Sequence, residues 1–392
     1  MHSLITQPGD TVAAALLRNA IPPTSTVTYR GDDEIVPDNH VLDPNSTYVA
    51  RLIEGYDIVG IRRLYQTQDS SAAYVHRRLG VAPTGALRME STPLDLEGAE
   101  AHVEGVVRDT IAEFGLLESG DQVVLGLSGG VDSGSLLMLL AAYRDSGAVP
   151  DLNIHAATFQ DFDSKWSETF DFARGLAQRH GVDHHVIEAG YAEKVFHLNR
   201  PMAQILMHLM ETEDAHLAMY ADHHSTRRVL EAYGDEIGVQ KIALGLHTTD
   251  LLAGMLNSFT TGFDVGPIPR RQVGPYTYIL PLAFTPKREL HLYYSRRTGH
   301  RPKQTTPNQW EFNPTDRNFY YYLADQIQWY WPGIEHWMFT AHARNAVDMS
   351  ARYRECENCG GSVVQQPAVA VEWSGLCDVC QLLDKHGWID HS

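Results

Sequence analysis

Val123-Val124-Leu125-Gly126-Leu127-Ser128-Gly129-Gly130-Val131-Asp132-Ser133 is the stretch on which the fold turns. An apolar run reads as a buried strand. It ends in a glycine turn, and residues 134–143 continue as an apolar helix. Two adjacent glycines allow backbone amides to approach an anion closely, and the helix N-terminus adds unpaired N–H donors and a favourable dipole. Ser128 and Ser133 can donate hydroxyl hydrogen bonds. Asp132 is negative where a phosphate would lie, which points to a metal ion between them. The Walker pattern requires a lysine after its second glycine, and the dinucleotide pattern requires G-x-G-x-x-G; neither is met. Geometry alone leaves a plain strand–turn–helix of an α/β fold as the competing explanation.

Outward from this turn, strands and helices alternate. Residues 153–159, 184–187 and 241–244 read as strands, 166–180 as a helix, and the chain up to residue 233 as a long helical stretch. Such alternation predicts an α/β fold, a parallel sheet with helices on both faces. An amphipathic helix over 96–116 precedes the loop. Residues 1–60 read as a unit of their own. In it a short helix through Val12, Leu16 and Leu17 is closed by Pro22-Pro23, with strands at 25–29 and 47–53 and at most one more around 4–6. Residues 61–95 are polar and aperiodic, and read as a linker or extended arm.

The 392 residues carry 49 acidic and 31 basic side chains, a formal charge of −18. That balance argues against a uniformly basic nucleic-acid binder while leaving local patches open. No apolar run is long enough for a spanning helix and no secretory segment is evident, so no membrane association and a cytoplasmic location are expected. All four cysteines lie in Cys356-x2-Cys359 and Cys377-x2-Cys380, separated by 17 residues. Two C-x2-C turns at this separation fit four thiolates around one zinc ion, a closed structural site. The alternative, two redox dithiols, requires a thioredoxin-like context that the chain lacks.

The string Ser-Gly-Gly-Val-Asp-Ser at 128–133 resembles the phosphate loop of the PP-loop ATP pyrophosphatases (adenine nucleotide alpha hydrolase-like), which split ATP to AMP and pyrophosphate while adenylating a substrate oxygen. Gly245-Leu246-His247-Thr248-Thr249-Asp250 resembles that family's Gly-His-x-x-Asp-Asp element, although Leu246 replaces the usual histidine and His247 comes one position late. Pro281-Leu282 with Lys287 and Glu289 resembles the following Pro-Leu segment. The resemblance implies ATP and Mg²⁺ as cofactors. It implies catalytic roles for Asp132, Asp250 and Lys287, and cofactor binding by Ser128, Gly129, Gly130, Asp132, Ser133, Phe159, Arg228 and Gly245. The domain would span 96–345, with a zinc ribbon at 346–392 holding Zn²⁺ on Cys356, Cys359, Cys377 and Cys380.

The C-terminal cysteines followed by Leu382-Leu383 resemble the tail of the tRNA 2-thiouridine synthetases, which adenylate a uridine carbonyl and then replace its oxygen with sulfur. Residues 1–60 resemble part of a β-grasp, the ubiquitin-like fold of small sulfur carriers. They lack a terminal Gly-Gly, so a role in binding or mimicking a carrier is expected. Where the thiolating enzymes carry a Cys-x2-Cys pair, this chain has Tyr220 and His223, and no thiol remains in the catalytic domain. A persulfide or cluster mechanism run by that domain is excluded, and an external sulfur donor is implied. Asp222-His223-His224 offers metal ligands or a general base, although 20 histidines in the chain make a local pair unremarkable.

Residues 270–303 hold eight Lys/Arg (Arg270, Arg271, Lys287, Arg288, Arg296, Arg297, Arg301, Lys303) against Glu289 alone, a strip that could meet tRNA phosphates or be a solvated face. The aromatics 319–322, 329–331 and Trp337 could stack bases, or form core at helical spacing. The expected partners are a tRNA or nucleobase substrate, a ubiquitin-like or sulfur-carrier protein, and a second copy in a homodimer. Two other functions stay open. One is carboxylate activation, as in enzymes resembling the 7-cyano-7-deazaguanine synthases, whose cysteines are packed more closely. The other is a non-catalytic nucleotide-binding module.

Overall fold

The computed structural model describes residues 2–19, 21, 26–31, 34–52, 74–81, 87–160, 167–261, 265–299, 317–330, 333–345, 353–364 and 374–391. The chain divides into two units, 1–72 and 73–392. The first comprises β1 (His2–Ser3), α1 (Val12–Arg18), β2 (Thr26–Arg30), β3 (Glu34–Val36) and β4 (Tyr48–Leu52). The strands lie in the order β1-β4-β2-β3, and every described pairing is antiparallel. Thr11 caps α1 by accepting a hydrogen bond from the Ala14 amide. Val12, Ala15 and Leu16 pack on Val36, Tyr48 and Ala50 of the sheet. Pro22-Pro23, expected to close the helix, lie outside the described residues.

The second unit opens with a hairpin, β5 (Tyr74–Val81) and β6 (Leu87–Leu94), inside the stretch read as a linker or extended arm. Then follow α2 (Leu96–Glu113), β7 (Gln122–Gly126), α3 (Val131–Asp145), β8 (Asn153–Phe159), α4 (Ser167–Arg179) and β9 (Asp183–Ile187). The stretch expected to be one long helix is α5 (Tyr191–Phe196), α6 (Met202–Leu209) and α7 (Ala218–Ile237). It breaks where His197 turns left-handed (φ 52) and Pro201, unable to continue a helix, precedes α6. The chain continues through β10 (Lys241–Ala243), α8 (Thr248–Thr261), β11 (Arg270–Val273), β12 (Tyr276–Ile279), α9 (Lys287–Thr298), α10 (Arg317–Tyr330) and α11 (Ile334–Asn345). It ends in β13 (Tyr353–Glu355), β14 (Ser362–Val364) and α12 (Asp378–Lys385).

Six strands form one sheet in the order β11-β12-β10-β7-β8-β9, parallel except for edge strand β11. One core joins Val103, Val107 and Ile111 of α2, Leu136 and Leu140 of α3, and Tyr293 and Tyr294 of α9. A second joins Val229, Leu230 and Tyr233 of α7 to strand residues Val124 and Ile242. Val123 and Val124 enter different cores, as alternation along a two-faced strand requires. The chain runs β7 to β8 to β9 in one direction, then returns with β10 to the other side of β7. That reversal makes the carboxyl ends of β7 and β10 the crevice where open α/β sheets bind ligands. Among the described residues no helix is long and apolar enough to cross a membrane.

Candidate active site and cysteine knuckle

The turn after β7 spends the Ser128 and Gly130 amides on the Ser133 and Ser128 hydroxyl oxygens. Gly130 takes the N-cap position of α3 in an extended conformation and makes no side-chain cap bond. The first amides of α3 are therefore available to an anion. Gly129 has φ +77, a conformation that side chains rarely adopt. Ser133 Oγ accepts the Ser128 amide at 3.1 Å and lies 3.0 Å from Ser128 Oγ, which holds the turn closed. Tyr294 braces the loop from α9, its hydroxyl donating to Gly129 O at 3.0 Å. Burial pushes the Tyr294 phenol up to about 12, so it remains a donor at neutral pH. Its ring occupies space that Gly134 leaves open, since a Cβ there would stand 2.6 Å from Tyr294 Cε2.

The segment after β10 closes the other wall. A Cβ on Gly245 would lie 3.4 Å from both the Asp132 carbonyl carbon and the Ser133 nitrogen, so this glycine allows two backbones to touch. His247 then caps α8. Its amide donates to Asp250 Oδ2 at 3.2 Å, while the Asp250 amide donates to His247 Nδ1 at 3.3 Å. This is a capping box with histidine in place of serine or threonine. Because Nδ1 accepts, the proton of the neutral ring sits on Nε2, which faces Asp250 Oδ2 at 3.3 Å and Asp132 Oδ1 at 3.7 Å. Tyr321 of α10 donates its hydroxyl to Asp250 Oδ1.

Lys287, the first residue of α9, completes the cluster with its ammonium 2.6 and 2.8 Å from the Asp132 oxygens. Burial, then the charge of Lys287, holds nearby His291 below its ordinary value. Carboxylate oxygens of Asp132 and Asp250 lie within 4.8 Å of one another beside the His247 ring, and the two carboxylates are able to hold a cation. The structure thus brings together Ser128, Gly129, Gly130, Asp132, Ser133, Gly245, Asp250 and Lys287 from three separated segments. Phe159 lies half-buried at the end of β8, beside Thr158, whose hydroxyl donates to Leu127 O.

Arg228, expected at ATP phosphates, is placed elsewhere. Its Nε donates to Cys359 O at 2.6 Å and its NH1 lies 3.3 Å from Glu231, so the guanidinium is committed to the cysteine knuckle. The basic strip is also less open than its composition suggests. Arg296 and Arg297 both pair with Glu100, Arg270 donates to Gly115 O, and Arg271 donates to Val265 O. Arg301 and Lys303 lie outside the described residues. Of the aromatics, Tyr320 is core, whereas Phe319, Tyr322 and Trp337 are exposed. His247, Tyr294 and Tyr321 stand at the site although none was expected among its catalytic or cofactor-binding residues. Only His247 carried a signal, as the displaced histidine of the Gly245–Asp250 element.

The four cysteines converge. β13 leads into Cys356, the chain turns at Gly360 (φ +68) with Gly360 N donating to Cys356 O, and β14 returns antiparallel. Cys377 is the N-cap of α12, and its sulfur accepts the Cys380 amide. All four sulfurs are buried and lie within 4.8 Å of one another, Cys359 and Cys377 being 3.9 Å apart. A tetrahedral ion with metal–sulfur bonds of about 2.3 Å separates its sulfurs by about 3.8 Å, so the donor set fits one ion with no open position. This is a metal-binding site.

Fold and loop together resemble the α/β domain of the PP-loop ATP pyrophosphatases. Residues 115–237 match the family model described as asparagine synthase. Among curated relatives, the chain is 29% identical over 196 residues to a tRNA-cytidine(32) 2-sulfurtransferase of Polynucleobacter asymbioticus, covering 48% of this chain and 58% of the relative. It is 28% identical over 213 residues to the enzyme of the same name from Marinobacter nauticus, covering 52% and 63%. The chain thus spans about three-fifths of the length of these relatives. Among solved structures, the U34-tRNA thiolase NcsA from Methanococcus maripaludis, described with its 4Fe–4S cluster, shares the fold. Its TM-score is 0.55 at 18% identity, covering 77% of this chain and 92% of that one.

Proposed function

We propose that the chain is a tRNA-modifying enzyme of the 2-thiolation type, which activates a pyrimidine carbonyl with ATP and accepts sulfur from an external donor. The observation that carries this reading is the convergence of Asp132, His247, Asp250 and Lys287 at the mouth of an uncapped helix N-terminus. The names of the curated relatives supply the substrate class. ATP phosphates would lie on the amides of 129–133, and Lys287 would exchange its Asp132 partner for a phosphate oxygen. Asp132 and Asp250 would hold Mg²⁺, which when bound neutralises charge on the leaving pyrophosphate. The carbonyl oxygen attacks the α-phosphorus, and the bond to pyrophosphate breaks. Sulfur then adds at the activated carbon, and AMP departs with the original oxygen.

The cysteine census supports the external donor, because the four thiols of the whole chain are those of the knuckle, where we place Zn²⁺ in a structural role. The N-terminal unit is read as a ubiquitin-like module that binds a sulfur carrier. The test incubates purified protein with ATP, Mg²⁺, unmodified tRNA and sulfide. Nucleotide products and digested nucleosides are then followed by mass spectrometry. AMP and a 2-thiopyrimidine are expected together; ADP as the product, or AMP formation indifferent to RNA, would overturn the reading.

A further inference from the structure

α7 presents Tyr220, His224 and Arg228 at four-residue intervals, so they share one face of the helix. All three touch the cysteine ribbon. Tyr220 OH lies 3.5 Å from Asp378 Oδ2, His224 Nε2 lies 3.6 Å from Cys377 Sγ, and Arg228 Nε donates to Cys359 O. Arg227 NH2 lies 3.2 Å from His224 Nδ1. A guanidinium has only donors, so Nδ1 must accept and the ring proton must sit on Nε2, directed at the Cys377 sulfur.

We propose that His224 is a positioning residue of the metal site, donating Nε2–H to the Cys377 thiolate and tying the metal-loaded ribbon to the catalytic domain. Four thiolates around one dication leave net negative charge in a buried place, which is stable only when N–H groups point at the sulfurs. The ribbon supplies some of these itself: Cys377 N to Cys356 Sγ at 3.2 Å, Cys380 N to Cys377 Sγ at 3.3 Å, and Asn358 Nδ2 to Cys380 Sγ at 3.3 Å. His224 supplies one from outside, on the helix whose Leu230 and Gly234 pack against the phosphate-loop strand at Gly126 and Val124. The buried histidine thus lies in the segment where the thiolating enzymes have cysteines, directed at the knuckle instead. The inference rests on the single-ion reading of the knuckle and is independent of the tRNA reading, because its test measures no turnover.

The full-length protein is loaded with Co²⁺ in place of the native ion, and two quantities are read: the sulfur-to-cobalt charge-transfer band and the rate of metal release to a chromogenic chelator. His224→Leu keeps bulk and removes the donor; release is expected to accelerate by about 10- to 100-fold with a shifted band. His224→Gln restores an N–H donor and should move both readings back toward wild type. Wild-type release and an unchanged band in the Leu variant would overturn the proposal, as would a folded Gln variant that behaves like Leu. If the Leu variant does not fold, Arg227→Met tests the same point, since it leaves the ring and removes the group that fixes its tautomer. Faster release and a shifted band would support the proposal, and unchanged readings would overturn it. Failure of the wild-type protein to bind one equivalent of cobalt would also overturn it.

Discussion

Lys287 and Asp132 form a two-pronged ion pair, 2.6 and 2.8 Å, between residues 155 positions apart in sequence. The pair locks the N-terminus of α9 to the first turn of α3, so the phosphate loop and its cation arrive already oriented. Under the proposed function this lysine would serve ATP phosphates as the Walker lysine does from within its own loop. Here it is delivered from a distant helix.

Removing either partner should abolish chemistry without unfolding the domain, because both side chains are partly exposed. Lys287→Met and Asp132→Asn are each expected to lower AMP formation by at least about 100-fold, the scale of losing one preorganised charge at a reacting phosphate. Lys287→Arg should retain part of the activity. Circular dichroism should be unchanged in all three, and a Met variant at full rate would remove Lys287 from the site.

Gly134→Ala sets a methyl against the Tyr294 ring at 2.6 Å. The expected cost is about 1–3 kcal/mol, read as a lower urea midpoint at constant slope. Tyr294→Phe loses the bond to Gly129 O and should cost about 1 kcal/mol. Combining Gly134→Ala with Tyr294→Leu relieves the clash, so the pair should be markedly less destabilising than the sum of the singles.

The histidine capping box at α8 makes a separable prediction. His247→Ala should destabilise by about 1 kcal/mol, whereas His247→Asn, whose short carbonyl can still accept the Asp250 amide, should recover most of that loss. The asparagine is too short to face Asp132, so it should regain stability without regaining full ATP turnover. Equal stability of the alanine variant and wild type would show that the cap does not matter.

Stability should fall on mild acidification. Burial, the largest cause at each, holds His180, His184 and His291 below their ordinary value of 6.5. The unfolded chain therefore binds more protons than the folded one between 6.5 and the lowered folded values. Unfolding free energy is full above 6.5 and declines as pH drops through that window. Urea midpoints measured from pH 7.5 to 5.5 should decrease steadily, and a flat series would contradict the burial of these rings.

The phosphate loop and the cysteine knuckle were legible because each is local: a strand, two glycines and a helix in one case, two Cys-x2-Cys turns in the other. What sequence could not convey was pairing across distance. Arg228 resembles a phosphate-binding arginine until its carbonyl partner, 131 residues later, is known. The basic strip looked like a nucleic-acid surface until Glu100, 196 residues before Arg296, appeared beside it. Tyr321 belongs to an aromatic run indistinguishable from core, and only the packing of α10 on α8 turns its hydroxyl to Asp250. His247, displaced by one position from the expected element, falls at the helix cap, so the shift places its ring rather than removing it.

The docking of the ribbon on α7 also sets an order of assembly during synthesis. Cys377 follows His224 by 153 residues, so a growing chain completes its phosphate loop long before the face of Tyr220, His224 and Arg228 has the ribbon to meet. Until residue 359 is made, Arg228 lacks its carbonyl partner. A chain cut short before the first cysteine pair would keep the loop at residues 128–133 but lack the carbonyl that Arg228 holds.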